Sequence, residues 1–132
     1  MNAEAITAQL DHLAIHVRNL QISTDFYLNV LGLQICPEPF QDGLHIWLQI
    51  GVHQQLHLIG GAQETHSEDM QVHMAFRVGS VDQFVSRLSD LHVTYVNQKG
   101  EAGQIAIRPD GVKQVYLQDP DGYWIEVNEA RY

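Results

Sequence analysis

Between residues 10 and 17 polar and apolar side chains alternate, so that Leu13, Ile15 and Val17 face one way and His12, Ala14 and His16 the other. This period of two predicts a strand with one face on a core. The next stretch places Phe26, Tyr27, Val30 and Leu31 on one helical stripe, with Asn19 as cap and Gly32 as stop, and predicts a helix over 20–31. Ile35, then 46–50, then 55–59 read as three further strands separated by turns rich in Pro, Gly and Asp. The order is β, α, β, β, β.

The same order restarts at Val72. Met74, Phe76 and Val78 alternate with His73, Ala75 and Arg77, and Val81, Phe84, Val85 and Leu88 then recur at helical spacing behind Ser80 and Gln83, which stand at capping-box separation. Strands are expected over 94–97, 104–108, 114–118 and 124–128, the last two joined by the turn Asp119-Pro120-Asp121-Gly122. The short piece around Thr94 corresponds to the one around Ile35. One domain over residues 1–132 is expected, made of a module at about 10–60 and its copy at about 72–129. A length of 132 residues with 45% hydrophobic content supports one compact core and not two ordinary independent domains.

The formal charge of −9, from 7 basic and 16 acidic residues, disfavours nucleic acid and anionic membranes as partners. No apolar run has the length of a membrane span, and the start Met1-Asn2-Ala3-Glu4 has no basic, apolar signal segment, so the expected location is cytoplasmic. Cys36 is the sole cysteine and cannot form an internal disulfide. The unusual feature is the eight histidines.

The repeat selects four chemically interesting side chains. His12 opens the first strand of the first module and His57 lies in its last strand; His73 and Glu126 occupy the same two places in the second. By parity each opposes the apolar face of its strand. Pairing the modules, within the chain or across a dimer, would gather three imidazoles and one carboxylate, a donor set suited to one divalent transition metal (Zn, Ni, Co, Fe or Mn). The same alternation puts His16, Trp47, Gln49, Arg77, Tyr116 and Gln118 on this face as candidate walls of a substrate pocket. His45, His53, His66 and His92 fall in turns, edges or helix ends and receive no role.

The segments Leu10-Asp11-His12-Leu13-Ala14-Ile15, Phe26-Tyr27 with Leu31-Gly32-Leu33, and Asp119-Pro120-Asp121-Gly122-Tyr123-Trp124-Ile125-Glu126 resemble the vicinal oxygen chelate superfamily of glyoxalases, bleomycin-resistance proteins and extradiol dioxygenases. The resemblance spans nearly the whole chain. It implies an α+β fold of two tandem βαβββ modules around a half-barrel-type metal and ligand cavity, and, with the open polar sheet edges, a homodimer. In glyoxalase I-like members the metal ligands lie at the positions matched by His12, His57, His73 and Glu126. The chain departs from those enzymes at His57, where they usually have Glu, and at His16, where glutathione-using members often have Arg.

The resulting expectation is a metal-dependent lyase or isomerase acting on a small oxygen-bearing substrate through an enediolate-like intermediate, with Glu126 as the catalytic base. An extradiol-type dioxygenase or a thiol transferase is the second expectation. A non-catalytic protein that binds or sequesters a small molecule is the third.

Overall fold

A computed structural model of the protein describes residues 6–66 and 69–132. The chain divides into two compact units, 1–63 and 64–132.

The first unit runs β1 (His12–Val17), α1 (Leu20–Asn29), β2 (Gln34–Cys36), β3 (His45–Gln49), β4 (Gln55–Gly60). Its sheet has the order β1-β4-β3-β2, with β1 parallel to β4 and the other pairs antiparallel. β4 is therefore central. Leu56 and Leu58 on it and Leu48 on β3 are fully buried, as is Val17 on β1, so the apolar parity of each strand forms the core as expected.

Helix α1 starts where Asn19 accepts a hydrogen bond from the Ile22 amide and ends at a left-handed glycine. Gly32 takes φ +71° and the Leu33 amide reaches back to the Tyr27 carbonyl. This stops the helix at Asn29 rather than Leu31. Its buried face also differs from the apolar stripe: Tyr27 and Val30 are buried, and with them Ser23 and Thr24. The Thr24 hydroxyl donates to the Leu20 carbonyl, which satisfies it inside the packed face.

The second unit runs β5 (His73–Arg77), α2 (Val81–Asp90), β6 (Ala106–Ile107), β7 (Lys113–Gln118), β8 (Trp124–Asn128), in the sheet order β5-β8-β7-β6. This is the order of the first unit, again with one parallel pair, β5 with β8. Ser80 caps α2 by accepting from the Gln83 amide, and Val81, Phe84 and Leu88 form its buried stripe.

Two strand expectations shorten. Of 94–97 only Val96 bridges, to Ala102 and Tyr116, and of 104–108 only Ala106–Ile107 forms a strand. The cause is local. The Asn97 side chain accepts from the Lys99 and Glu101 amides, and Gly100 and Gly103 take positive φ, which turns the chain away from the sheet edge. A second turn, closed by the Arg108 amide on the Val112 carbonyl, makes 106–114 a hairpin.

The expected equivalence of the Ile35 and Thr94 segments shows in the register. Cys36 pairs with Trp47, which lies opposite His57; Val96 pairs with Tyr116, which lies opposite Glu126. Both sheets are open and α+β in character. No helix among the described residues is long and apolar enough to cross a membrane.

Candidate metal centre

In each unit the two candidate ligands sit diagonally across one parallel strand pair. His12 is opposite Gln55, with His57 two residues on; His73 is opposite Trp124, with Glu126 two residues on. Paired positions share a face of a sheet, so each unit places its two candidates side by side on the face away from its leucine and valine core.

In the second unit, His73 Nδ1 lies 2.8 Å from the Met70 carbonyl. A carbonyl only accepts, so Nδ1 carries a proton, and in the neutral tautomer this selects, Nε2 holds the lone pair. Nε2 lies 3.7 Å from Glu126 Oε1. That is long for a hydrogen bond, but two donor atoms each about 2.1 Å from a tetrahedral ion stand roughly 3.4 Å apart. In that tautomer Nε2 and Oε1 are two neighbouring lone-pair donors that a divalent ion could take.

Glu126 is held on both oxygens. Tyr116 donates its hydroxyl to Oε1 at 3.0 Å and Asn128 its amide to Oε2 at 2.8 Å, while Gln114 donates to the Tyr116 oxygen at 3.0 Å. With its own acceptor duty met by Gln114, the phenol has its proton directed at Glu126. Burial, reinforced by the hydrogen bond to Glu126, raises the Tyr116 hydroxyl to about 12, so it stays protonated through the neutral range. Because this value lies above that of a phenol in the unfolded chain, the associated stability is fully present below about pH 10 and is lost as pH rises towards 12; it amounts to roughly 2–3 kcal/mol. Absorbance titration of the phenols should show a transition near pH 12 that is lost in Tyr116→Phe. A high-pH titration unchanged by Tyr116→Phe would contradict it.

In the first unit, His12 and His57 stack with ring centroids 4.1 Å apart and planes 13° from parallel, and Trp47 covers the other side of His57 at 4.1 Å and 3°. His12 Nδ1 lies 2.7 Å from the Asp11 carboxylate, which holds the proton on Nδ1 and leaves Nε2 as the lone-pair nitrogen of the neutral ring. His57 Nε2 lies 2.8 Å from the Gln55 amide oxygen. Burial, with a contribution from the neighbouring His12, lowers the His57 pKa and favours the neutral, ligating imidazole. In-plane lone pairs of stacked rings run side by side, so joint chelation requires one of these rings to turn about its side-chain torsions. Among the described residues no three His, Cys, Asp or Glu side chains form a ready-made cation cluster. All four residues carry donor groups suited to a divalent ion, and His73 and Glu126 bring two such atoms to 3.7 Å within the second unit.

The other candidate pocket residues separate by environment. Trp47 and Tyr116 occupy equivalent places beside His57 and Glu126. The Trp47 indole nitrogen is buried without a hydrogen-bond partner among the described residues. Gln49 and Gln118, also equivalent, donate their side-chain amides to the Gly51 and Gly122 carbonyls and hold turns. Arg77 lies over the Tyr132 ring at 5.2 Å, and His16 is exposed near the end of β1.

Asp11, Gln55, Gln114 and Asn128 support the ligand candidates or their neighbours, and nothing in the alternation singles them out. Parity placed Gln55 and Asn128 on the right face, but only cross-strand register shows which side chain each one meets.

The fold and sequence have counterparts among known proteins. Over 124 residues the chain is 24% identical to the uncharacterized protein YwbC of Bacillus subtilis (strain 168), covering 89% of this chain and 94% of that one. It is similar to the solved structure of the oxidase ChaP-H1, with TM-score 0.76, 27% identity and coverage of 96% of this chain and 98% of that chain. A glyoxalase/dioxygenase from Nostoc punctiforme superposes with TM-score 0.77 at 20% identity, covering 100% of this chain and 97% of that chain. The sequence model of one family matches residues 9–127, and the chain belongs to that family, the Glyoxalase/Bleomycin resistance protein/Dioxygenase superfamily.

Proposed function

We propose that the protein is a divalent-metal-dependent, glyoxalase-like enzyme of the lyase or isomerase type, with His12, His57, His73 and Glu126 as metal ligands. The observation that carries this reading is the approach of His73 Nε2 to Glu126 Oε1, with the His73 proton committed to Met70 on the far side of the ring. When bound, a divalent ion supplies Lewis acidity towards a substrate oxygen. Glu126 takes the proton from the carbon adjacent to the polarised carbonyl, with Tyr116 and Asn128 holding the carboxylate in place. Tyr116, being almost fully buried, keeps water from that side of the carboxylate.

His57 in place of a second carboxylate favours chemistry that uses one base. The substrate is accordingly a small 2-oxo or acyl compound whose adjacent C–H is acidified by a carbonyl. Incubating the cobalt- or zinc-loaded protein in D2O with hemithioacetals of 2-oxoaldehydes and with epimerisable acyl thioesters tests this. Deuterium entering at the carbon beside the carbonyl, and failing to enter with Glu126→Gln, is expected. No exchange or turnover with either class would overturn the lyase or isomerase reading.

A second reading is an oxidase or extradiol-type dioxygenase, and it draws on the 27% identity to the oxidase ChaP-H1 over nearly both chains. Dioxygen uptake by the iron-loaded protein with catechols distinguishes it from the first. A protein that takes up metal and ligand with neither exchange nor oxygen uptake is a binding module.

A further inference from the structure

The two modules differ at one place that their shared register makes conspicuous. In the first, β2 covers the edge of β3 over three residues, with Gln34 opposite Gln49, Ile35 opposite Leu48 and Cys36 opposite Trp47. In the second, the equivalent ladder retains only Val96 opposite Tyr116. Beyond that bridge residues 93–95 stand off from β7, and the gap is a cleft of about 200 Å³ lined by Val93, Thr94, Tyr95, Tyr116, Gln118 and Trp124.

The backbone at this gap has a definite polarity. Val96 and Tyr116 exchange both N–H···O bonds, at 2.8 and 2.9 Å, across the outer edge of β7, while the Asp119 amide bonds inward to the Tyr123 carbonyl. Backbone groups of alternate residues in an antiparallel strand point to the same side, so Gln118, two beyond Tyr116, presents its N–H and C=O to the outer edge and into the cleft. Among the described residues no bridge forms to Gln118 on that side. Its side chain is drawn away to the Gly122 carbonyl and leaves this edge uncovered. The walls are aromatic: Trp124 is the cross-strand partner of Gln118, and Tyr116 links the cleft to Glu126.

The geometry points to a binding site for a single planar ring that carries a cyclic amide, its C=O accepting from the Gln118 amide and its N–H donating to the Gln118 carbonyl. The complement of an unpaired strand residue is another amide, and the flat walls of Tyr95, Tyr116 and Trp124 select a planar one. The volume lies below the roughly 300–1,000 Å³ of sites for drug-sized ligands, which limits the occupant to one ring or its immediate equivalent. The site does not depend on the metal reading, because its walls and its hydrogen-bonding edge belong to residues other than the four ligand candidates.

Amide spectra of the ¹⁵N-labelled full chain, titrated with 2-pyridone and separately with N-methyl-2-pyridone, test the proposal with and without added zinc. Saturable shifts of the Gln118 amide and the Trp124 indole are expected with 2-pyridone, and about tenfold weaker binding with the N-methyl compound, which lacks the donor. Thr94→Trp, a substitution at an exposed position, and Val93→Phe both fill the cleft and should abolish the shifts while the rest of the spectrum is retained. Absence of shifts at millimolar 2-pyridone, equal binding of the two compounds, or unchanged binding in Thr94→Trp would each overturn it. The outcome is read without turnover, so failure of the enzymatic reading leaves it standing, and the reverse also holds.

Discussion

Replacing Glu126 by glutamine is expected to lower the affinity for zinc or cobalt by at least about 100-fold while leaving the fold intact. Loss of an outer hydrogen-bond partner of a ligand typically costs 10–100-fold, and loss of an anionic ligand itself exceeds that. Glutamine keeps an amide oxygen that can accept from Tyr116, so the Gln114, Tyr116 and residue 126 chain survives, and the charge is removed together with the hydrogen bond from Asn128, which would now meet an NH2 group. Glu126→Ala should lose the metal as well and, in addition, lose about 1–3 kcal/mol of stability. It strips the acceptor from both the Tyr116 hydroxyl and the Asn128 amide, and the former is buried. Competition with a chromophoric chelator measures the first effect and urea unfolding the second. Equal metal affinity in wild type and Glu126→Gln would remove the carboxylate from the site.

The second large effect concerns the core. Leu56 is fully buried on the central strand β4, opposite Leu13 of β1 and Leu48 of β3. Strands on both sides leave little freedom for collapse around a smaller side chain, so Leu56→Ala should cost about 2–5 kcal/mol from lost burial and the cavity left behind. Ile107→Ala is the matched comparison: Ile107 is 65% exposed on the short edge strand β6, and its truncation should stay within about 0.5 kcal/mol. Urea midpoints of the two variants check this, and similar losses in both would show that Leu56 does not anchor the first unit.

Much of this fold is legible in the sequence because alternation directly encodes which face of a strand meets the core. Leu13, Ile15 and Val17, or Met74, Phe76 and Val78, announce both the strand and its orientation, and the recurrence of the whole pattern identifies the module. The same parity places His12, His57, His73 and Glu126 on one face of their sheets, where the structure has them.

What parity does not encode is which neighbour each side chain meets. The stacking of Trp47 on His57 and of His57 on His12, the hydrogen bonds from Tyr116 and Asn128 to Glu126, and the Gln114 support behind them all depend on register, which turn geometry sets. His57 is only 9% exposed although alternation alone reads its face as wet, because aromatic rings and amides fill that face. The end of α1 and the loss of strand at 94–95 and 104–105 follow from Gly32, Asn97, Gly100 and Gly103, whose turn conformations override the apolar pattern beside them.

Cobalt titration of the metal-free protein tests most directly the proposal that His12, His57, His73 and Glu126 are metal ligands. The expected result is one equivalent of Co²⁺ bound with a visible d–d spectrum, a raised melting temperature, and loss of both signals in His12→Ala, His57→Ala, His73→Ala and Glu126→Gln alike. Binding that survives in the His12 and His57 variants would confine the site to the second unit. No spectrum and no stabilisation at any cobalt concentration would contradict the account.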